Sequence, residues 1–182
     1  MKLLIASDLH GSAKYTVALQ QLFAQHKPDK LVLLGDLLYH GPRNNLPEEY
    51  DPKQVIEILN GLKHHILAVR GNCEAEVDQM VLQFPVMADY MVLFAGGPPI
   101  YAMHGHHIEG EWPPLAKGDI LLSGHTHIGE EKVVDGIVRL NPGSLALPKD
   151  GHHSYMLLQN GRFTRYNLQG QVLGTWQMAA SR

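Results

Sequence analysis

The sequence lacks several features that mark broad classes of protein. Cys73 is the one cysteine among 182 residues, so no disulfide can form within the chain, as is usual in a reducing compartment. No apolar run approaches the roughly 20 residues of a membrane-spanning helix. Asp8 interrupts the opening apolar stretch, which argues against a signal peptide. We therefore expect a cytoplasmic protein that does not enter a membrane.

Charge is also sparse, and it shows no positive excess. Charged residues make up 18% of the chain, and the formal net charge is -3. This composition provides no general basic surface for nucleic acid, although it leaves a local patch open. Hydrophobic residues make up 45%, which is typical of a globular protein. We expect residues 1–182 to form a single domain that does not take nucleic acid as a partner.

Three stretches of the first half repeat apolar residues at the spacing of one helical face. Ser12 and Asp51 are predicted to cap the first two helices, and Pro85 to stop the third. Helices that alternate with short apolar runs predict parallel strands with right-handed crossovers. The three faces comprise Tyr15, Ala18, Leu19, Leu22 and Phe23; Val55, Ile58, Leu59 and Leu62; and Val77, Met80, Val81 and Phe84.

The second half is rich in strands and tight turns. Asp135-Gly136 and Asn160-Gly161 each separate two β-prone runs, which predicts two-residue hairpins between antiparallel strands. The sequence therefore predicts an α/β protein in which parallel and antiparallel strands both occur.

Potential metal ligands follow five of the apolar runs, where the predicted strands end. Parallel sheets bind small molecules and ions beyond the carboxyl ends of their strands. One aspartate in such a place more often caps a helix, but five strand ends with carboxylate, imidazole or amide groups indicate one shared site. The side chains are Asp8 and His10, then Asp36, Asn72 and His104, and finally His125 with His127.

Taken in order, these motifs resemble the signature of the calcineurin-like metallophosphoesterases. With a later segment, the chain is similar to the compact YfcE-type phosphodiesterases of that superfamily. The resemblance implies a four-layer αββα sandwich of two mixed β-sheets flanked by helices. The motifs are Asp8-Leu9-His10, Gly35-Asp36, Gly71-Asn72-Cys73-Glu74, His104, Gly124-His125-Thr126-His127 and Asn141-Pro142-Gly143-Ser144.

The resemblance also implies two divalent metal ions that share Asp36. Mixed oxygen and imidazole ligands suit manganese, the expected metal, with iron, nickel or zinc as alternatives. A hydroxide that bridges the ions would be the nucleophile. One ion would be held by Asp8, His10, Asp36 and His127, and the other by Asp36, Asn72, His104 and His125.

The implied activity is the hydrolysis of a small or nucleotide-like phosphodiester. A phosphomonoesterase or nuclease that uses the same site is the alternative among enzymes, and a non-catalytic interaction module of the same fold is the alternative outside them. Exposed strand edges permit a homodimer. Tyr39-His40-Gly41 stands where phosphoprotein phosphatases carry Asp-Arg-Gly, which weighs against a protein phosphatase.

Two roles stay open at this stage. Many relatives carry a histidine where this chain has Cys73, and a neutral thiol does not replace an imidazole acid. Asn72 and His106 are the candidate catalytic residues, and His106 is also the rival of His104 as a metal ligand. Arg43, in the loop of residues 41–51, and Arg70 either contact phosphate or brace a loop.

Overall fold

The computed structural model describes residues 1–107 and 113–179. Its elements follow the predicted alternation of strands and helices. Among the described residues, no helix combines the length and the apolar character needed to cross a membrane. In chain order the elements are β1 (Leu3–Ala6), α1 (Ala13–His26), β2 (Lys30–Leu33), α2 (Pro52–Gly61), β3 (Ile66–Ala68), α3 (Glu76–Val81), β4 (Tyr90–Leu93), β5 (Ile100–Met103), β6 (Ile120–Leu122), β7 (Gly129–Val134), β8 (Ile137–Pro142), β9 (Ser154–Gln159), β10 (Arg162–Asn167) and β11 (Val172–Gln177).

The strands form two mixed sheets. One has six strands in the order β11-β10-β9-β1-β2-β3, and the other has five in the order β4-β5-β6-β8-β7. β1, β2 and β3 are parallel, whereas β9, β10 and β11 run antiparallel to their neighbours. In the second sheet β5, β6 and β8 are parallel between antiparallel edges. The predicted α/β architecture of two mixed sheets is confirmed.

Side chains of β1 show how the layers are assembled. Leu4 and Ala6 belong to an apolar cluster with the buried faces of α1 and α2, which cover the outer side of the six-stranded sheet. Leu3 and Ile5 belong to a second cluster with residues of β5, β6 and β8. Because neighbouring side chains of a strand point to opposite faces, one strand contributes to both the helix-sheet layer and the sheet-sheet layer.

The predicted caps of the first two helices are confirmed, but the predicted face of the third is wrong. Ser12 Oγ accepts a hydrogen bond from Tyr15 N, and Asp51 Oδ1 accepts from two amides of α2. α3 ends at Val81 and buries none of its residues. Leu82 is extended, and the chain then bends at Gln83 and Phe84. Burial alternates in this segment, so that Leu82, Phe84 and Val86 lie in the core. The third list of apolar residues, Val77, Met80, Val81 and Phe84, therefore combines an exposed helix face with one buried residue beyond the helix.

Both predicted hairpin turns are confirmed. Asp135 and Gly136 have φ values of 53° and 83°, and Asn160 and Gly161 have values of 52° and 72°. Two consecutive positive values define the type I′ turn, whose twist matches that of the flanking strands.

The carboxyl ends of β1, β2, β3, β5 and β6 meet at one side of the sandwich. Asp8 N donates to Gly35 O at 3.1 Å, which joins the loops after β1 and β2. Gly124 N donates to His104 O at 2.9 Å, which joins the loops after β6 and β5. Hydrogen bonds across the sheet ends thus bring together the loops that carry the predicted ligands.

Candidate metal centre

The structure brings all seven predicted ligands into one cluster. Asp36 Oδ2 lies 3.7 Å from His10 Nε2 and 3.4 Å from His104 Nε2, so this oxygen stands between the two halves of the cluster. In one half, Asp8 Oδ1 lies 3.3 Å from His127 Nε2. In the other half, His104 Nε2 lies 3.1 Å from Asn72 Oδ1 and 3.2 Å from His125 Nδ1.

Backbone carbonyls fix the ring orientation of three histidines. A carbonyl oxygen only accepts, so Nδ1 of each ring carries a proton and Nε2 of the neutral imidazole is left with its lone pair. This arrangement is typical of metal-binding histidines. The three contacts are His10 Nδ1 to Tyr39 O at 2.9 Å, His104 Nδ1 to Leu34 O at 2.6 Å, and His127 Nδ1 to Leu147 O at 2.7 Å.

Two observations in the cluster fit a bound cation. His10 Nε2 and His127 Nε2 are 3.1 Å apart, although the carbonyl contacts of both rings leave lone pairs facing each other. Asp8 Oδ1 is buried and has no hydrogen-bond partner among the described residues. Buried lone pairs without donors are costly unless a positive charge compensates them, and imidazole with carboxylate suits a divalent transition metal.

The ligand-bearing loops adopt an uncommon backbone conformation. Five of the seven predicted ligands have positive φ, namely Asp8 (58°), His10 (47°), Asp36 (56°), His125 (66°) and His127 (61°). The left-handed region is sparsely populated by residues with a Cβ, and each such residue costs on the order of 1–3 kcal/mol. Its concentration in one cluster is typical of a functional site, where surrounding contacts hold the strain.

Glycines allow the loops to approach one another. A Cβ on Gly71 would collide with Asp36 Oδ1, and a Cβ on Gly124 would collide with Ser7 Oγ. The Gly-Asn and Gly-His motifs therefore place backbone, not side chain, directly against the neighbouring ligand loop.

Glu74 is a site residue whose role the sequence did not reveal. Its carboxylate accepts hydrogen bonds from the amides of Asp36 at 2.9 Å, Leu37 at 2.7 Å and Gly71. Burial, assisted by the charge of Asp36, raises the pKa of Glu74 to about 7. No periodicity or spacing distinguishes this position, and only its place after Gly71-Asn72-Cys73 hints at it. Glu74 ties the loop after β2 to the loop after β3.

The segment from 141 to 147 braces the loops after β1 and β6. Asn141 Nδ2 donates to Gly124 O at 2.8 Å, and Ser144 Oγ donates to Asp8 O at 2.8 Å. This contact explains why the Asn141-Pro142-Gly143-Ser144 segment accompanies the ligand motifs in the sequence.

Ionisable groups in the cluster shift in opposite directions. Burial opposes ionisation of Asp36, but the hydrogen bond and charge of His104 hold the pKa of this carboxyl well below its ordinary value. Burial likewise opposes ionisation of Asp8, yet His127 and His104 lower the pKa of Asp8. Although burial lowers the pKa of His104, its hydrogen bond to Asp36 and the charge of Asp8 raise it to about 9. The two carboxylates thus stay ionised and attract positive charge.

Cys73 lies beside the cluster as a neutral thiol. Burial raises the pKa of Cys73, and the negative charge of Asp36 raises it further. Its Sγ accepts a hydrogen bond from Asn72 Nδ2 at 3.3 Å, and its backbone amide donates to Asp36 Oδ1 at 2.9 Å. Neither contact activates the sulfur, because the thiolate is the reactive form.

His106 lies at the edge of the cluster, next to His104. The ring centroids of the two histidines are 5.4 Å apart. Within the described residues, the groups of potential ligand atoms that approach one another within 4.8 Å include His104 and not His106. Burial, then the charges of His104 and His107, lowers the pKa of His106 to about 4. His106 is therefore uncharged at neutral pH.

Arg43 and Arg70 take different positions. A cavity of about 500 Å³ opens over the cluster, and Arg43 is among its lining residues. Arg70 instead turns back on its own loop, where its guanidinium donates to Glu74 O at 3.4 Å. Arg70 therefore braces its loop, whereas Arg43 faces the cavity.

The family of the chain follows from comparison with known proteins. The model of the Calcineurin-like phosphoesterase superfamily domain matches residues 1–161. Phosphodiesterase YfcE of Escherichia coli K12 is 46% identical over 162 residues, which cover 88% of this chain and 88% of that protein. A structure of Yfce, a phosphoesterase from E. coli, covers 98% of this chain and 100% of its own at 41% identity, with a TM-score of 0.93. The chain belongs to the calcineurin-like phosphoesterase superfamily.

Membership of the family confirms that the chain is a hydrolase of phosphoric esters, and it implies divalent metal ions as cofactors. The fold is also shared with more distant proteins. Vacuolar Protein Sorting 29 of Cryptosporidium parvum matches 97% of this chain and 97% of its own with a TM-score of 0.64, at 22% identity. At that identity the match shows the shared fold alone.

Proposed function

We propose that the protein is a phosphodiesterase that hydrolyses a small or nucleotide-like phosphodiester with two divalent metal ions, of which manganese is the expected one. The observation that carries this proposal is the position of Asp36 Oδ2, which lies within 3.7 Å of imidazole nitrogens from both halves of the cluster. A single carboxylate oxygen in that position can serve two ions at once. The similarity of this chain to E. coli phosphodiesterase YfcE supports a phosphodiester, and not a phosphomonoester, as the substrate.

The residues divide into two sets of ligands. Asp8, His10 and His127 would hold one ion together with Asp36, and Asn72, His104 and His125 would hold the other. Two ions bound there would supply a hydroxide nucleophile from a shared water of lowered pKa and would neutralise charge on the phosphoryl oxygens.

The protein residues around the metals have separate tasks. The carbonyl contacts of the three histidines hold their rings in place, so the ligand geometry is set before the substrate arrives. Asn72 is exposed at the mouth of the cluster, where its amide can meet both a metal and a phosphoryl oxygen. We assign Asn72 a catalytic role for that reason.

Proton supply to the leaving group is limited by the side chains beside the cluster. Cys73 carries a neutral thiol, and an uncharged His106 is in the form of a base and not of an acid at neutral pH. A leaving group that departs without full protonation is therefore favoured, such as a phenol or another acidic alcohol. His106 could relay a proton from water, because its Nδ1 is buried without a partner among the described residues.

The proposal is tested with paired chromogenic substrates. Manganese-loaded protein is assayed on bis(4-nitrophenyl) phosphate and on 4-nitrophenyl phosphate, with metal content measured on the same sample. We expect faster turnover of the diester. Faster turnover of the monoester would contradict the preference for diesters, and a metal-loaded protein without activity on either would favour an interaction module. Degradation of long DNA or RNA would point to a nuclease.

Two further proposals concern the protein in its setting. We propose a cytoplasmic location, on the single cysteine and the reducing compartment that it suits. We also propose that nucleic acid is not a partner. Exposed strand edges permit a homodimer, and light scattering at several protein concentrations would test for it.

A further inference from the structure

The cavity over the metal cluster is larger than a scissile phosphate requires. Its volume is about 500 Å³, within the range of roughly 300–1,000 Å³ typical of small-molecule sites. Metal ligands form part of its lining, and the remaining residues come from the loops around them. Those residues are Arg43, Asn44, Thr126, Ile128 and Lys149.

Two of the lining side chains are cations without a carboxylate partner. Arg43 and Lys149 are exposed, and within residues 1–107 and 113–179 neither forms an ion pair. Some cations of the chain are paired, as Lys14 is with Glu48 and Arg165 with Glu131, but what distinguishes Arg43 and Lys149 is that both line the cavity over the cluster. Cations that face a cavity and have no internal partner are available to bind an anion.

The backbone beneath each cation is fixed. Lys149 N donates to His127 O at 2.9 Å, so Lys149 is attached to a loop that carries a predicted metal ligand. In the loop that carries Arg43, Asn44 Nδ2 donates to His40 O at 2.7 Å. The backbone of Lys149 is thus joined to a ligand loop, and the loop of Arg43 is closed by a contact of its own.

The other flank of the cluster has a different charge. A second cavity of about 350 Å³ is lined by Asp89, Met103, His104, His106 and His107. The carboxylate of Asp89 repels an anion there, and no lysine or arginine is among the lining residues that the structure describes. The two sides of the scissile phosphate therefore meet unlike surroundings, one cationic and one not.

We propose that one arm of the substrate carries a second phosphate, which Arg43 and Lys149 bind in the larger cavity. The inference rests on the proposed function, because the scissile diester occupies the metal cluster. A diester brings a single negative charge, and it leaves both wall cations without a counterion. A phosphate on the adjoining arm accepts from guanidinium and ammonium together, and the cavity has room for a nucleotide-sized arm.

The test compares two substrates that differ only in this phosphate. They are the 4-nitrophenyl ester of thymidine 5′-phosphate and the same ester with a 3′-phosphate. Manganese-loaded protein is assayed as wild type, Arg43→Gln and Lys149→Gln. Arg162→Gln and Lys53→Gln are matched controls, because both are exposed cations away from the cavity.

We expect a KM for the 3′-phosphorylated ester at least about tenfold lower than for the plain ester, as one or two charge-assisted hydrogen bonds allow. Each cavity variant should raise that KM about tenfold with little change in kcat, since the phosphate is bound equally in the ground and transition states. The KM of the plain ester should change less than about twofold, and the controls should match the wild type.

Binding without turnover provides an independent measurement. Calorimetry with thymidine 3′,5′-bisphosphate and thymidine 5′-phosphate should show tighter binding of the bisphosphate, and Arg43→Gln and Lys149→Gln should remove the difference. Turnover of both esters with equal KM, or losses that affect both esters alike, would overturn the phosphate site and leave the phosphodiesterase intact. No turnover of either ester by metal-loaded protein would instead contradict the proposed function, and a bisphosphate preference that depends on Arg43 and Lys149 would still support the phosphate site.

Discussion

The buried cluster and the exposed rim of the site are built by different means. Asp8 and His104 are at most 1% exposed, and hydrogen bonds from the ends of two sheets hold their loops. On the rim, Arg43 and Lys149 are exposed, and their side chains form no ion pair in the described parts of the chain. A buried, hydrogen-bonded interior fixes reacting atoms, whereas exposed cations without an ion-pair partner are available to a ligand. The difference indicates that chemistry belongs to the cluster and substrate choice to the rim.

Asp36→Asn should give the largest effect if the cluster carries the chemistry. The amide cannot supply a charged oxygen to both halves, so we expect both ions to bind weakly and activity to fall by about 10³-fold or more, as the loss of several kcal/mol of metal stabilisation requires. Elemental analysis and diester turnover measure the two effects. Glu57→Gln, an exposed change on α2, is the control. Full activity of Asp36→Asn would show that the cluster does not carry the chemistry.

Glu74→Gln tests whether the cluster depends on its loop contacts. The amide group of glutamine would face at least one backbone N–H that now donates to an oxygen, so the loops after β2 and β3 should separate. We expect metal affinity to fall about 10- to 100-fold, as for other residues that orient ligands. Manganese titration measures the affinity, and thermal unfolding checks the fold. Glu76→Gln changes an exposed neighbour on α3 and should behave as wild type. If Glu74→Gln also binds manganese like the wild type, metal binding does not depend on the loop contacts of Glu74.

The pH dependence of stability separates the cluster with and without metal. In chelator-treated protein, the raised pKa of His104 contributes stability in full below its unfolded value of 6.5, and this is lost as pH rises through about 9. We expect unfolding free energy to fall by about 2 kcal/mol between pH 7.5 and 9.

Metal-loaded protein should show almost no slope in that range, because the ligand histidines are unprotonated both when they bind metal and in the unfolded chain above their ordinary pKa of 6.5. Urea unfolding at four pH values measures both slopes. His104→Gln should flatten the chelated curve. A slope that survives in His104→Gln would assign the titration to another group.

His106→Ala examines the boundary between cluster and rim. Its ring lies outside the groups of approaching ligand atoms, so metal content should be unchanged. Turnover of a nitrophenyl diester should fall less than about tenfold, and an ester with a poorly leaving alcohol should be affected more strongly, as expected for a proton relay. Loss of one metal equivalent would make His106 the ligand in place of His104.

Short-range patterns in the sequence predicted the strand ends, the caps and the hairpins. Asp8, Asp36 and His104 could be placed because parallel strands end on one side of a sheet. Glu74 and Lys149 escaped prediction because their partners, the Asp36 amide and the cavity, arise only when distant loops meet. The error at α3 has a local cause, since the apolar residues from Val77 to Phe84 fit a helical period although the helix ends at Val81.

Cys73→Ser should have the smallest effect of these changes, and it tests whether a residue between cluster and rim takes part in the chemistry. Burial and the charge of Asp36 keep the thiol protonated, and the backbone amide of Cys73, which the substitution leaves in place, donates to Asp36. A hydroxyl can accept from Asn72 as the sulfur does, so turnover should change less than about threefold, equivalent to well under 1 kcal/mol. Diester kinetics and metal content on the same sample measure this. A folded, metal-loaded but inactive variant would show that the sulfur acts on the substrate. Cys73 would then belong to the catalytic cluster and not to its surroundings.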